Sequence, residues 1–259
     1  MNFFWRTGIV LAGMLTVVLG CIVLWVITGP SWLDLSWVLP DNVVSTYGST
    51  LDDLWLVILW VTGIIFVVTE IILLVFMVKY RHKEGRKADY IHGSNKAEVV
   101  WTVIPFVIVV ALAFYSKGIW DDIRDPSLIP ADAYEIQMMA SQFEWAATYS
   151  GADGQFQTAD DFVSLNVLHI AVNQPVVVQL EAEDVIHSFF LPEFRVKQDA
   201  VPGLTTPVWF EATQTGEFTL ACAELCGLGH YTMGGTVIVH SQADFQDWLA
   251  EQQAAAEDD

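Results

Sequence analysis

The sequence predicts a membrane-anchored all-β protein: a transmembrane helical hairpin, preceded by an additional N-terminal hydrophobic helix and followed by a Greek-key β-sandwich. Three observations carry this. Apolar tracts at about 7–28, 54–78 and 99–116 are each long enough, or nearly so, to cross a bilayer. From Tyr134 onward the pattern changes to short alternating runs separated by Gly, Asp and Pro, which is how strands and turns read. Charge is also partitioned: of eleven basic residues, Lys79, Arg81, Lys83, Arg86, Lys87 and Lys96 fall between the second and third tracts and Arg6 precedes the first.

Residues 1–30 run apolar from Arg6 through Cys21 to Ile27, and Gly29 and Pro30 stop them. Such a tract is a retained transmembrane helix, a cleaved signal segment, or a lipoprotein signal modified at Cys21. The run stays apolar past Cys21, which argues against lipidation; between retention and cleavage, retention is the preferred reading. Residues 31–52, with Trp32, Trp37 and Pro40, form an external loop whose aromatics suit the lipid interface. The hairpin covers 53–118. Its first crossing starts near Asp53, ends at Lys79 and contains Glu70; a carboxylate in lipid is costly, and this one reads as a contact with a partner subunit. The second crossing opens with KAEVVWTVIP. Pro105 predicts a kink or weakened first turns, and Glu98 suits the positive end of the helix dipole. Positive residues stay inside, so Arg6 and the basic linker face the cytoplasm, and 29–52 and everything after about 117 lie outside.

Residues 119–132 are a linker with two prolines. The β-domain occupies 133–241, with strands expected at about 134–149, 162–170, 175–183, 206–213, 216–221 and 234–240. Residues 242–259 are a C-terminal helix, carrying Phe245, Trp248 and Leu249 at helical spacing, and an acidic tail. The stretch GADGQFQTADD lacks the spacing of a calcium loop and is read as a connection. From Lys117 on there are 4 Lys and Arg against 23 Asp and Glu, nearly the whole formal charge of −20. That field attracts a basic protein and excludes nucleic acid as partner; adaptation to high salt is the other reading of the same excess.

The stretch CAELCGLGHYTM, from Cys222 to Met233, carries the chemistry. Cys222, Cys226, His230 and Met233 form a soft donor mixture that suits copper better than magnesium or calcium. A second imidazole is available in His187, which ends the apolar run VVVQLEAEDVIH. A Cys222–Cys226 disulfide and a zinc site are the competing readings, although Met is a poor zinc ligand. GLGH holds too little of a nucleotide fingerprint to indicate a dinucleotide.

With His187, this loop resembles the binuclear copper A site of subunit II of haem-copper cytochrome c oxidases, a likeness that covers about residues 50–240. The resemblance implies a cupredoxin-like sandwich and two copper ions bridged by Cys222 and Cys226. His187 and His230 would be terminal ligands, with Met233 and the carbonyl of Glu224 as weak ones. It implies a magnesium ion shared with subunit I through the Glu224 carboxylate, and Glu98 at the mouth of a proton channel. In ASQFEWAATY the residue that usually receives the electron is tryptophan. Here Phe143 takes that place, with Trp145 two residues on and, in a continuous strand, on the same stacked surface.

The function implied is that of the electron-input subunit, passing electrons from cytochrome c to haem in subunit I, where oxygen is reduced to water with proton pumping. The partners implied are subunits I and III, the lipid bilayer and either a separate cytochrome c or a cytochrome donor held in a larger complex, since no C-x-x-C-H is present for a fused haem. The location implied is a bacterial inner membrane, multi-pass, with the copper domain on the periplasmic face. The alternatives are the copper A domain of a nitrous-oxide-reductase-like system and a copper-free structural subunit of the quinol-oxidase type. A single-copper cupredoxin would leave Cys226 unexplained.

Overall fold

The computed structural model describes residues 42–257. The additional N-terminal hydrophobic helix, with Arg6 and Cys21, and the loop residues Trp32, Trp37 and Pro40 lie outside them. Two long helices come first, α1 (Gly48–Lys79) and α2 (Asn95–Arg124). At 1.5 Å per residue they are about 48 and about 45 Å long, more than a bilayer's apolar thickness. Both are apolar on every face along most of their length and leave those faces uncovered by the rest of the chain, which is how a helix in lipid reads. Ser94 caps α2, its hydroxyl accepting from the Ala97 amide at 3.4 Å, and Glu98 occupies the first turn. The helix runs on through Pro105 without a break. A proline there removes only one amide donor from the helix.

Both helices outrun the lipid at their outer ends, where they meet the β-domain. Asp52 in α1 takes a two-pronged ion pair from Arg195, at 2.7 and 2.9 Å. Arg124 at the end of α2 donates to the Lys197 carbonyl at 2.8 Å and to the Gln198 side chain.

The β-domain is a sandwich of two five-stranded sheets. Strands β1 (Tyr134–Ser141), β2 (Glu144–Tyr149), β3 (Phe162–Leu165), β5 (Pro175–Ala182) and β8 (Thr206–Glu211) make one, in the order β3-β2-β1-β5-β8. Strands β4 (Val167–Ala171), β6 (His187–Leu191), β7 (Val196–Ala200), β9 (Gly216–Cys222) and β10 (Gly234–His240) make the other, in the order β4-β10-β9-β6-β7. β1 with β5 and β4 with β10 are parallel; the remaining ladders are antiparallel. Alternate residues fill the space between the sheets, as Ile136, Met138 and Ala140 do from β1 and Val237 and Val239 from β10. Helix α3 (Gln242–Glu257) closes one side, with Phe245 and Leu249 buried and Trp248 stacked on His169 at 4.0 Å between ring centroids.

Three expectations need correction. The run 134–149 is a hairpin of two strands, with Gln142 and Phe143 at its turn, because Ala140 pairs with Trp145 and Ser141 with Glu144. The run 162–170 breaks at Asn166, which has φ 58° and whose side chain accepts the Trp145 amide at 2.9 Å. Lastly, β6 and β7 were not expected: the turn at 183–186 ends β5, so His187 opens a new strand rather than ending an old one. The stretch 151–161 is a connection between β2 and β3, as expected.

Candidate metal centre

The loop from Cys222 to Met233 is held at its base by the sheet. Gly234 pairs with Ala221 where β10 and β9 run antiparallel, and the Cys222 amide donates to the Met233 carbonyl at 3.1 Å. The Ala223 amide donates to the Ser188 carbonyl at 2.9 Å, so the loop is also tied to β6, next to His187. Phe189 of β6 pairs with Cys222 of β9. These ladders, joining segments far apart in sequence, bring His187 to the loop.

The donor atoms converge. Sγ of Cys222 lies 3.9 Å from Sγ of Cys226, and Nδ1 of His187 lies 4.0 Å from Cys222 Sγ and 3.1 Å from Met233 Sδ. Cys226 Sγ is 3.7 Å from Met233 Sδ and 3.6 Å from His230 Nδ1, while the Glu224 carbonyl oxygen is 3.2 Å from Cys222 Sγ. His187, Cys226 and Met233 are buried, and Cys222 and His230 are half-buried. Their ligand atoms lie close enough for His187, Cys222 and Cys226 to hold one ion together.

The two sulfurs are too far apart for a disulfide, whose bond is about 2.05 Å. They are close enough for one ion to touch both, since two metal–thiolate bonds of about 2.3 Å span more than their separation. Two thiols, two imidazoles, a thioether and a carbonyl exceed what one four-coordinate zinc uses, and their softness favours copper. Burial and the neighbouring Cys222 push the Cys226 thiol up to about 11. Only a metal would keep such a thiol ionised near neutral pH.

Asp184 and Gln142 hold the ligands in place, and neither was singled out from sequence. Asp184 Oδ1 accepts from His187 Nε2 at 2.8 Å, which leaves Nδ1 directed at the sulfurs. The carboxylate also receives the Gln142 amide at 2.8 Å and the Val185 amide at 2.7 Å. These hydrogen bonds hold its pKa below the usual carboxylate range although its desolvation works the other way. The Gln142 side chain donates to the Cys226 carbonyl, so the β1–β2 turn is stitched to the metal loop. The signal available was the acidic residue three before a candidate ligand, in EDVIH.

The remaining candidate residues fall in different places. The ring of Phe143 packs on Gly229, where a side chain would overlap it, and lies close to Gly227, whose φ of +139° and nearness to the Gln142 side chain themselves favour glycine. Trp145 is not on a surface stacked with Phe143. It is fully buried, edge-on to His187 at 6.2 Å and to Phe189 at 5.8 Å, because the turn at 142–143 breaks the alternation that a continuous strand would keep. Glu224 is exposed. Glu98 stands at the far end of α2 from the β-domain and is not brought to the metal loop.

Fold and site together define a membrane-anchored β-sandwich with a soft-metal loop built on His187, Cys222 and Cys226. The family model for cytochrome c oxidase subunit II, periplasmic domain, matches residues 136–241, and that for its transmembrane domain matches 40–119. An alternative cytochrome c oxidase subunit 2 from Bradyrhizobium diazoefficiens is 33% identical over 235 residues, covering 82% of this chain and 84% of that one. A cytochrome c oxidase subunit 2 from Thermostichus vulcanus is 30% identical over 270 residues, covering 84% and 79%. The crystal structure of the periplasmic domain of subunit II of cytochrome oxidase from Bradyrhizobium japonicum is 31% identical, covers 49% of this chain and 98% of that one, and has a TM-score of 0.44.

The chain belongs to the cytochrome c oxidase subunit II family. It is the electron-input subunit of a haem-copper oxidase, anchored in the membrane with a periplasmic domain and working with other subunits of that complex. The nitrous-oxide-reductase-like and copper-free readings are not favoured: the transmembrane family match and the intact His/Cys/Cys cluster stand against them.

Proposed function

We propose that His187, Cys222, Cys226, His230, Met233 and the carbonyl of Glu224 would hold two copper ions. The observation that carries this is the convergence of two unbonded thiols 3.9 Å apart with two imidazoles and a thioether. When bound, the two ions would supply a one-electron carrier. The chain keeps the site rigid: β6 and β9 fix His187 and Cys222, Asp184 orients His187, and Gln142 ties down the Cys226 backbone.

Phe143 is the electron-input residue of this reading. Its ring against the loop glycines, and the Gln142 link to Cys226, support a short path from the surface. Trp145, edge-on to His187, packs behind that ligand as inner support of the route. The donor is a separate, basic cytochrome c, drawn by the acidic domain. Haem in subunit I is the acceptor, and subunit III completes the complex. The exposed Glu224 carboxylate is directed to a magnesium ion shared with subunit I, and Glu98 guards a proton-channel mouth on the cytoplasmic side. The setting is a bacterial inner membrane crossed more than once, which the two long apolar helices support.

The test is metal counting and electron paramagnetic resonance on the full chain in detergent. Two coppers per chain, with one unpaired electron split by both nuclei in the oxidised form, are expected. One copper per chain, or splitting by a single nucleus, refutes the reading.

A further inference from the structure

A cavity of about 540 Å³ lies where the outer ends of α1 and α2 meet β7 and β8. Its walls are apolar in the main, with Leu51 and Leu54 from α1 and Ile123 and Trp120 from α2. Among the described residues no aspartate or glutamate lines it, whereas Lys117, Arg124, Arg195 and Lys197 all do. These four are every lysine and arginine from residue 117 to the chain end, a stretch with 23 acidic residues. Gathering the whole basic complement of so acidic a region around one apolar hollow suits an anionic occupant with an apolar body.

The existing partners sort the four cations. Arg195 is committed to Asp52, whereas Lys117–Asp121 and Lys197–Asp199 are solvent-exposed pairs of the kind that contribute little. Among the described residues Arg124 makes no direct ion pair, although the Asp199 carboxylate is near enough to act on its charge; it donates to the Gln198 side chain and the Lys197 carbonyl and lies 5.3 Å over the Trp120 ring. Trp120 is 63% exposed at the outer end of a membrane helix, the depth at which interfacial tryptophans sit among headgroups. Trp209, also in the wall, has a buried indole N–H without a hydrogen-bond partner among the described residues.

We propose that this cavity binds one anionic phospholipid of the outer leaflet, its phosphate on Arg124 and Lys117 and the start of an acyl chain along Leu51, Leu54 and Ile123. The site is separate from the copper loop and does not depend on how that loop is loaded. Its role would be to seal the junction between anchor and β-domain with lipid.

The test uses the assembled oxidase in non-ionic detergent, exchanged with phosphatidylglycerol or phosphatidylcholine, each carrying a photoreactive acyl chain. Phosphatidylglycerol is expected to cross-link within 51–54 or 119–123 and to be retained at least about tenfold better than phosphatidylcholine. Lys117→Gln with Arg124→Gln should remove that preference while copper content stays normal, and Arg124→Lys should restore most of it. Equal labelling by both lipids, an unchanged preference in the double variant, or cross-links from these positions to another subunit instead of lipid would overturn the proposal.

Discussion

Gly229→Ala tests whether the packing between Phe143 and the metal loop organises the site. A Cβ at this position would lie 2.5 Å from Cδ2 and 2.7 Å from both Cε2 and Cγ of Phe143, against ordinary contacts of 3.4–4 Å. The ring or the loop must therefore retreat by about 1 Å, and overpacking of that kind costs about 1–3 kcal/mol. Backbone strain adds nothing, since φ of Gly229 is −89° and suits any residue. The assay is thermal unfolding of the copper-free full chain, followed through its aromatic signals. A drop of several degrees is expected, at about 2–4 °C per kcal/mol. In a Phe143→Ala background the same substitution should cost less than about 0.5 kcal/mol, because the obstructing atoms are gone. An equal cost in both backgrounds would mean that Phe143 and Gly229 are not coupled and that the hairpin turn does not support the loop.

Three further outcomes are expected. Asp184→Asn removes the carboxylate that orients His187 through Nε2; copper retention against a chelator should fall by about 10–100-fold, and unchanged retention would show that β6 alone fixes the ring. His169 is pushed down to about 4 by burial and by His240, against about 6.5 unfolded. The folded state then binds fewer protons, so this stabilisation is complete above about pH 6.5 and is lost as pH falls towards 4. Allowing for solvent around a half-exposed ring, it amounts to about 1–2 kcal/mol, and His169→Gln should flatten the decline in urea midpoint between pH 7 and 5. An identical slope in that variant would rule out His169 as its source. Glu98→Gln should slow proton uptake by the assembled oxidase while leaving copper content intact; full turnover and pumping would remove the channel-mouth role.

Much of this was determined by the sequence alone, because it depends on local pattern. Two uninterrupted apolar runs of bilayer length must be helices in lipid, where no other segment satisfies its own backbone. Two cysteines four apart, followed by His230 and Met233, place a soft-metal loop without any knowledge of the fold. Alternation from Tyr134 onward gave a sandwich for the same reason, since period-two apolar residues need a second sheet to cover them.

Only the tertiary structure decided what depends on contacts distant in sequence. His187 reaches the thiols because β6 pairs with β9, and β6 was hidden in a run whose turn at 183–186 carries no proline or glycine. Trp145 is buried rather than displayed because a turn at Gln142–Phe143 splits an apparently single strand, and pattern alone cannot place a hairpin turn that lacks Gly, Asn or Asp. Asp184 and Gln142 become supports of the metal site only through hydrogen bonds that the folded chain creates. The gathering of Lys117, Arg124, Arg195 and Lys197 likewise joins a helix end to a strand far along the chain, where sequence shows only four scattered charges.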